Sequence, residues 1–244
     1  KEYDWYVFNS HWNYEKFRMV FDIPTERSIV IKNGVENFPI RKIYKKGAPI
    51  KLIHHCTPWR GLNVLLRAMQ DVQNLNVTLD VYSSCKVYGS GFAKDSEADF
   101  EPLYEQARKL KNVNYIGYKP NEYILDMMPN YDMFVYPSIF EETSCASALE
   151  ALASGVHVIT NNFGALYETC GEWPVYINYS TNYEQMAKDT AAAIDVASSY
   201  LHEDFMQEHL EEQQKFYKRF YNWGKKGMEW TNFLKGAIYE RNNK

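Results

Sequence analysis

Residues 136–155, YPSIFEETSCASALEALASG, place a buried strand, two glutamates and a helix in immediate succession. The apolar run at 133–135 ends before Pro137, which is typical of a core strand that a proline stops. Apolar residues then recur at three- and four-residue spacing as far as Gly155, which is placed to end a helix. This stretch therefore predicts a strand, a short loop and an amphipathic helix.

The two glutamates of the stretch are spaced for a ligand longer than a single reacting bond. Glu142 comes just before the helix and Glu150 lies two turns along it, off the apolar face. At ~1.5 Å per residue their backbones are about 10 to 12 Å apart, which is too far for a shared proton. The spacing is also wide for the carboxylate pair of a glycoside hydrolase. A ligand with hydroxyl groups at both ends fits better.

The start of the predicted helix lies between these two acids. Thr143 and Ser144 are its candidate N-caps. Backbone N–H groups of Thr143, Ser144 and Cys145 should be free there, and a helix N-terminus with free N–H groups binds anions. Hydroxyl-binding acids on either side of a phosphate site describe a nucleotide sugar.

These residues resemble the signature of the family-4 retaining glycosyltransferases of GT-B fold, Glu-x7-Glu within PS-x-x-x-E…LEA-x-A-x-G-x-x-V-I. The match comprises Pro137, Ser138, Glu142, Leu149, Glu150, Ala151, Ala153, Gly155, Val158 and Ile159. A capped helix with two solvated glutamates would explain any one of these features, but not the whole string.

The resemblance implies a role for each matching site residue. Glu150 should hold ribose hydroxyls, Glu142 should contact the donor sugar, and the amides of residues 143–145 should bind the β-phosphate. The base should lie against the loop that contains Tyr118, a placement that rests on topology more than on residue identity. Gly164 and Glu168 resemble a further turn of the same family.

A second motif, IKLIHHCTPWRG at residues 50–61, predicts a strand and a loop that leads into a helix. Arg60 stands at the N-terminus of that helix, where the macrodipole disfavours a cation unless an anion lies between them. The loop resembles the family pattern G-R-x-x-x-x-K-G, whose two cations hold the diphosphate. Arg60 and Gly61 match its second part, whereas His54 and His55 replace its glycine and first cation.

This departure has two interpretations. A neutral imidazole at His55 would donate one hydrogen bond without a full charge, so stabilisation of the leaving group would be weaker or pH-dependent. Alternatively, His54 and His55 are ordinary histidines at a strand end, and Arg60 is an ordinary surface arginine.

The composition excludes several classes of protein. The chain has 244 residues, 45% of them hydrophobic and 24% charged, and a net charge of −4, which is ordinary for a globular protein. No basic stripe indicates nucleic-acid binding, and no apolar run approaches the ~18 residues of a membrane span. The four cysteines form no CxxC pair, which favours free thiols in the cytoplasm.

Strands and helices alternate along the chain, and the strands are continuously apolar. This pattern predicts an α/β fold, a Rossmann-like doubly wound parallel sheet followed by C-terminal helices. We expect residues 37–220 to form the nucleotide-sugar-binding domain after a lysine-rich linker at 41–46. Residues 1–36 should be the remnant of an N-terminal domain and its hinge, and 221–244 a helix that crosses back to that domain. The chain begins with Lys1 rather than Met, so we expect it to be a fragment.

The predicted activity is hexosyl transfer from a nucleotide-diphosphate sugar, with retention and without a metal, and this chain supplies the donor-binding half. No D-x-D triplet occurs in the sequence. UDP or GDP is the expected nucleotide, and no further cofactor is expected. The acceptor would be a glycan or a lipid-linked molecule. The expected location is the cytoplasm, with a peripheral position at a membrane as an alternative. Two alternatives stay open: a nucleotide-sugar-binding module without catalysis, and a GT-B epimerase or phosphorylase.

Overall fold

The structure, a computed structural model, describes residues 3–39 and 47–243. The lysine-rich linker predicted at residues 41–46 lies outside the described residues. Residues 3–33, called the N-terminal unit below, contain strands β1 (Tyr6–Phe8) and β2 (Ser28–Val30), which pair in parallel, and helix α1 (His11–Phe21) between them. Ser10 caps α1, because its side chain accepts a hydrogen bond from the N–H of Asn13.

The main body of the protein is a six-stranded parallel sheet. Its strands are β3 (Ile50–His54), β4 (Val77–Val81), β5 (Val113–Tyr115), β6 (Met133–Tyr136), β7 (His157–Asn161) and β8 (Val175–Ile177), in the spatial order β5-β4-β3-β6-β7-β8. The order reverses between β3 and β6, where Leu52 pairs with Met133 and Ile53 with Phe134. The predicted doubly wound α/β fold is confirmed.

Helices cover both faces of this sheet. The helices after β3 are α2 (Leu62–Asp71), α3 (Ser90–Ser96), α4 (Glu101–Lys109), α5 (Asn121–Met127), α6 (Ala146–Ala153), α7 (Leu166–Cys170), α8 (Tyr183–Tyr200), α9 (Asp204–Phe220) and α10 (Trp223–Asn242). Successive strand residues point to opposite faces, so Leu52 packs in the cluster with α2 and α8 while Ile53 packs in the cluster with α6. Strands buried on both faces explain the continuously apolar runs in the sequence.

The end of the chain returns to the N-terminal unit. The N–H of Val35 donates to the carbonyl of Tyr221 at 2.7 Å, and the N–H of Trp223 donates to the carbonyl of Val35 at 3.2 Å. On α10 the ring of Phe233 packs edge-on against Trp5, with centroids 5.4 Å apart. The last helix therefore contacts the first residues of the chain, and the predicted domain boundaries stay a prediction.

The segment after β4 differs from the sequence-based expectation. The glycines and serines of SSCKVYGSGF, residues 83–92, predict a flexible loop, whereas the structure has a 3-10 turn at Cys85–Tyr88 and then α3. The sequence of residues 97–110 predicts one helix, which the structure divides into a 3-10 turn at Glu97–Phe100 and α4. Glycines at 89 and 91 lower helix propensity and suggested a loop, but the ring of Trp59 stacks on that of Tyr88 and anchors the turn in tertiary packing.

Two findings bear on the predicted environment of the protein. All four cysteines are unpaired and buried. No helix among residues 3–39 and 47–243 combines the length and the hydropathy that crossing a bilayer requires.

His54 ends β3 inside the sheet and is completely buried. Its Nδ1 lies 3.1 Å from the carbonyl oxygen of Val135, so Nδ1 carries the proton and donates. Its Nε2 is buried and has no hydrogen-bond partner among the residues that the structure describes. Burial lowers the pKa of His54 to about 4, although the bond to Val135 opposes the shift.

This histidine should make stability fall in mild acid. Between pH 6.5 and pH 4 the unfolded chain takes up a proton at His54 that the folded protein excludes, so the free energy of unfolding decreases as the pH falls. The full contribution is about 3 kcal/mol. Urea unfolding at pH 7 and pH 4.5 should show that His54→Asn, which keeps a donor for Val135 but does not titrate, loses roughly 2 kcal/mol less than the parent protein.

His202→Asn is the matched control, because His202 lies in the turn between α8 and α9 and is partly exposed. Between pH 7 and pH 4.5 the free energy of unfolding of His202→Asn should fall as much as that of the parent protein. An equal loss for His54→Asn would contradict a neutral His54 in the folded state.

Candidate active site

A cavity of about 490 Å³ opens at the carboxyl ends of β3 and β6, where the strand order reverses. This is the position at which doubly wound sheets bind their ligands. Most of the predicted site residues line the cavity: His55, Arg60, Tyr118, Glu142, Ser144 and Cys145. Glu150 contacts His55 and Asn121 of the cavity wall, and Thr143 and Gly61 are sequence neighbours of lining residues.

Glu142 and Arg60 form an ion pair at the N-terminus of α2. Glu142 is 2% exposed, and its Oε1 accepts hydrogen bonds from Nη1 of Arg60 and, at 2.5 Å, from the hydroxyl of Tyr136. Burial lowers the pKa of Arg60, but the neighbouring Glu142 carboxylate outweighs burial and the pKa is raised, so the guanidinium stays charged. The buried carboxylate thus has a full cation as its partner.

The other side of the Arg60 guanidinium faces aromatic rings. Its Cζ lies 4.2 Å from the ring centroid of Phe140, and Nη2 donates a long hydrogen bond of 3.5 Å to the hydroxyl of Tyr88. The cation is therefore clamped between one carboxylate and two aromatic side chains. The sequence patterns marked Arg60 and Glu142 but not Tyr136, although Tyr136 is the first residue of the stretch 136–155.

Two glycines bring backbone close to this ion pair. A Cβ atom on Gly61 would lie 2.1 Å from the carbonyl oxygen of Pro137, and Gly61 has φ +103°. A Cβ atom on Gly164 would lie 2.5 Å from both the nitrogen and the oxygen of Glu142. A side chain at either position would push apart the loops that bring Arg60 and Glu142 together.

His55, which lines the cavity, contacts Glu150 next to it. Nε2 of His55 lies 3.4 Å from Oε2 of Glu150, and the His55 side chain is 4% exposed. Neither ring nitrogen of His55 makes a hydrogen bond to a described residue. Asn121 donates to Oε1 of Glu150 at 3.3 Å. A buried imidazole with unused nitrogens that lines a cavity is a candidate ligand-binding group.

The start of α6 differs from the prediction. The helix begins at Ala146, and its N-cap is Cys145, whose side chain caps no N–H group. Thr143 and Ser144 instead accept hydrogen bonds from Nδ2 of Asn9, at 3.3 Å, and Nδ2 of Asn33, at 3.1 Å. Their hydroxyls are used in contacts with the N-terminal unit, so they do not cap the helix.

The free amides therefore lie further along the chain than predicted. Ala146 and Ser147, in the first turn of α6, line the cavity together with Cys145. A first helical turn leaves its N–H groups without carbonyl partners and carries the positive end of the helix dipole. The helix N-terminus on which the predicted anion site rests lies at residues 146 and 147, and anion binding there stays a prediction.

Tyr118 and Lys119 line the end of the cavity away from Glu142, together with Tyr82 and Asn121. The hydroxyl of Tyr82 lies 2.7 Å from that of Tyr131, which donates to Oδ2 of Asp80 at 2.7 Å. Because the Asp80 carboxylate only accepts hydrogen bonds, the Tyr131 hydroxyl donates to it, and the Tyr82 hydroxyl in turn donates to that of Tyr131. No sequence pattern marked Tyr82 or Asn121, since each side chain reaches the cavity only through the winding of the sheet.

Comparisons with known proteins agree with this architecture. Residues 36–218 match the sequence profile of the family described as Glycosyl transferases group 1. O-antigen chain mannosyltransferase B of Escherichia coli is 24% identical over 161 residues, which cover 63% of this chain and 42% of that protein.

Solved structures show the same fold. A glycosyltransferase from Rickettsia africae superposes with a TM-score of 0.74 at 17% identity, over 95% of this chain and 63% of that one. Anabaena HepE in complex with UDP and glucose gives a TM-score of 0.72 at 15% identity, over 96% and 63%. The fold is that of the GT-B glycosyltransferases, and the chain spans less than two thirds of these relatives' lengths.

The ion pair predicts an unusual effect of one substitution on anion binding. Glu142→Gln removes the carboxylate that occupies Arg60, so it should lower the free energy of unfolding by roughly 2 to 3 kcal/mol. The same change should tighten the binding of inorganic pyrophosphate about tenfold, because the freed guanidinium meets an anion without competition. Isothermal titration calorimetry and urea unfolding measure the two effects.

Glu141→Gln is the control, because Glu141 is the exposed neighbour that pairs with Lys16 at 3.0 Å. It should change neither quantity appreciably. Weaker pyrophosphate binding by Glu142→Gln would contradict a site in which Arg60 exchanges one anion for another.

Proposed function

The chain belongs to the glycosyl transferases group 1, and we propose that it forms the donor-binding half of a retaining glycosyltransferase that uses a nucleotide-diphosphate sugar without a metal ion. The observation that carries this proposal is the convergence of Arg60, Glu142, His55, Glu150 and the α6 N-terminus on one cavity. Its volume of about 490 Å³ lies within the usual range of small-molecule sites.

The nucleotide would lie along the cavity with its base against Tyr118 and its diphosphate at α6. Glu150 would accept hydrogen bonds from ribose hydroxyls, a role supported by a carboxylate whose contacts with described residues are one hydrogen bond of 3.3 Å from Asn121 and the approach of His55. The amides of Ala146 and Ser147 would bind the β-phosphate. Glu142, at the other end, would contact hydroxyls of the donor sugar.

Arg60 would change partners when the donor binds. In this structure the charge of Arg60 is neutralised by Glu142, whereas a diphosphate in the cavity would offer two negative groups for bidentate contacts. The move would free Glu142, still held by Tyr136 at 2.5 Å, to accept from the sugar. Donor binding would thereby create the arrangement that the reaction needs.

Sugar transfer with retention would depend on stabilising the departing diphosphate. Negative charge builds up on its bridging oxygen as the glycosidic bond breaks, and groups placed beforehand lower that barrier most. Arg60, the α6 dipole and a hydrogen bond from the His55 ring would supply this stabilisation. A protein cation and a helix N-terminus in these places support transfer without a resident metal.

The partners follow from the same site. UDP or GDP is the proposed nucleotide, and HepE, of the same fold, has been solved with UDP and glucose. We propose a glycan or lipid-linked acceptor, and a larger N-terminal domain that would bring it to the cleft beside Glu142. A cytoplasmic location is supported by the four free, buried cysteines.

Thermal unfolding with UDP, GDP or ADP at millimolar concentration tests the proposal. A nucleotide present at ~100 times its dissociation constant adds about 2.7 kcal/mol of stability. For a chain of this size that should raise the melting temperature by roughly 5 to 10 °C. Glu150→Gln should remove most of the shift, because the ribose then loses its charged acceptor.

Glu208→Gln serves as control, since Glu208 is exposed on α9 and lies outside the cavity. It should respond to the nucleotide like the parent protein. The proposal fails if none of the three nucleotides raises the melting temperature, or if Glu150→Gln responds as fully as Glu208→Gln.

A further inference from the structure

One carboxylate of the main body makes several contacts with the N-terminal unit. Oε2 of Glu168, on α7, accepts from the N–H of Trp12 at 2.8 Å, and its Oε1 accepts from the N–H of His11 at 2.9 Å. Nζ of Lys32 and Nδ1 of His11 each lie 2.9 Å from the same Oε1. Four groups of the N-terminal unit thus surround a side chain that is more than 130 residues away in sequence.

These contacts satisfy the first turn of α1. Ser10 binds the N–H of Asn13, and Glu168 binds the two preceding amides, so the helix takes its N-terminal anion from the other part of the chain. Partial burial opposes ionisation of Glu168, but the amides of His11 and Trp12 and the Lys32 cation outweigh it and lower its pKa to about 2. The carboxylate is charged throughout the physiological range.

The same helix end that carries Glu168 also seats Glu142. The N–H of Ala165, the N-cap of α7, donates to the carbonyl of Glu142 at 2.7 Å. Gly164 is in such close contact with the Glu142 backbone that no side chain fits between them. A displacement of α7 therefore displaces the backbone of Glu142.

The N-terminal unit also holds the residues that follow Glu142. Asn9, just after β1, donates to Oγ1 of Thr143, and Asn33, after β2, donates to Oγ of Ser144. The loop of Glu142 is therefore tied to the N-terminal unit on two sides, through Glu168 and through these asparagines. None of Asn9, Asn33, His11, Lys32 or Glu168 lines the nucleotide cavity.

We propose that Glu168 is a positioning residue, which fixes the N-terminal unit against the Glu142 loop and thereby sets where Glu142 stands relative to the reacting sugar. The docking of the two parts is independent of the proposed function, and only its effect on sugar transfer rests on that function. A shift of about 1 Å in such a group is enough to slow a reaction on the order of a hundredfold. Nucleotide affinity should be insensitive, because the nucleotide cavity holds no member of this cluster.

Glu168→Gln tests the inference in the full-length protein. It removes the charge that Lys32 and the α1 N-terminus require, while the amide keeps nearly the same shape. Hydrogen exchange of the amides of residues 11–14 should become at least tenfold faster. The rate of nucleoside diphosphate release from the nucleotide sugar should fall at least tenfold, while the dissociation constant of the nucleoside diphosphate changes less than twofold.

Two further variants keep the test decisive. Glu172→Gln, at an exposed residue just beyond α7, should leave all three quantities unchanged. Lys32→Met removes the cation without altering α7, so it should reproduce the loss of turnover with a smaller amplitude. These variants separate the loss of the contact from any local damage to α7.

The outcomes distinguish this inference from the proposed function. Unchanged exchange at residues 11–14 in Glu168→Gln overturns the docking role, whatever the protein does with nucleotides. Nucleotide affinity that falls as much as turnover overturns the positioning role. A parent protein that binds no nucleotide refutes the proposed function alone, and hydrogen exchange then still decides whether Glu168 docks the N-terminal unit.

Discussion

The buried ion pair of Arg60 and Glu142 is the interaction on which the site depends. A carboxylate that is 2% exposed is expensive unless a charge meets it, so the loop after β3 and the loop after β6 must stay in contact. Gly61 and Gly164 allow the close backbone approach that this contact requires. The doubly wound sheet brings the two loops to the same edge, because β3 and β6 are neighbours at the reversal of strand order.

The ion pair also connects the site to the rest of the molecule. Glu142 is followed by two hydroxyl residues that bind asparagines of the N-terminal unit, and its carbonyl is held by the start of α7. By contrast, Glu150 and His55 face each other and use little of their hydrogen-bonding capacity on the described residues. One end of the cavity is thus tightly tied within the protein, while the other is open to a ligand.

Local patterns predicted the parallel sheet and the succession of strands and helices along the chain. They also marked the acidic and basic residues at the cavity. They could not predict contacts between distant segments. The predicted start of α6 was wrong, because Thr143 and Ser144 bind Asn9 and Asn33 although both residue types are favourable N-caps. The helical segment after β4 was missed because aromatic packing outweighs two glycines there. Glu168 matched a motif, but only the folded structure shows that its carboxylate binds the N-terminus of α1.

The most direct test of this account is a crystal structure of the protein with a bound nucleoside diphosphate. The account predicts phosphates at the amides of Ala146 and Ser147, with the Arg60 guanidinium turned from Glu142 to the phosphate oxygens. Glu142 should keep only its bond to Tyr136. A nucleotide bound elsewhere, or phosphates in the cavity beside an unbroken Arg60–Glu142 pair, would contradict it.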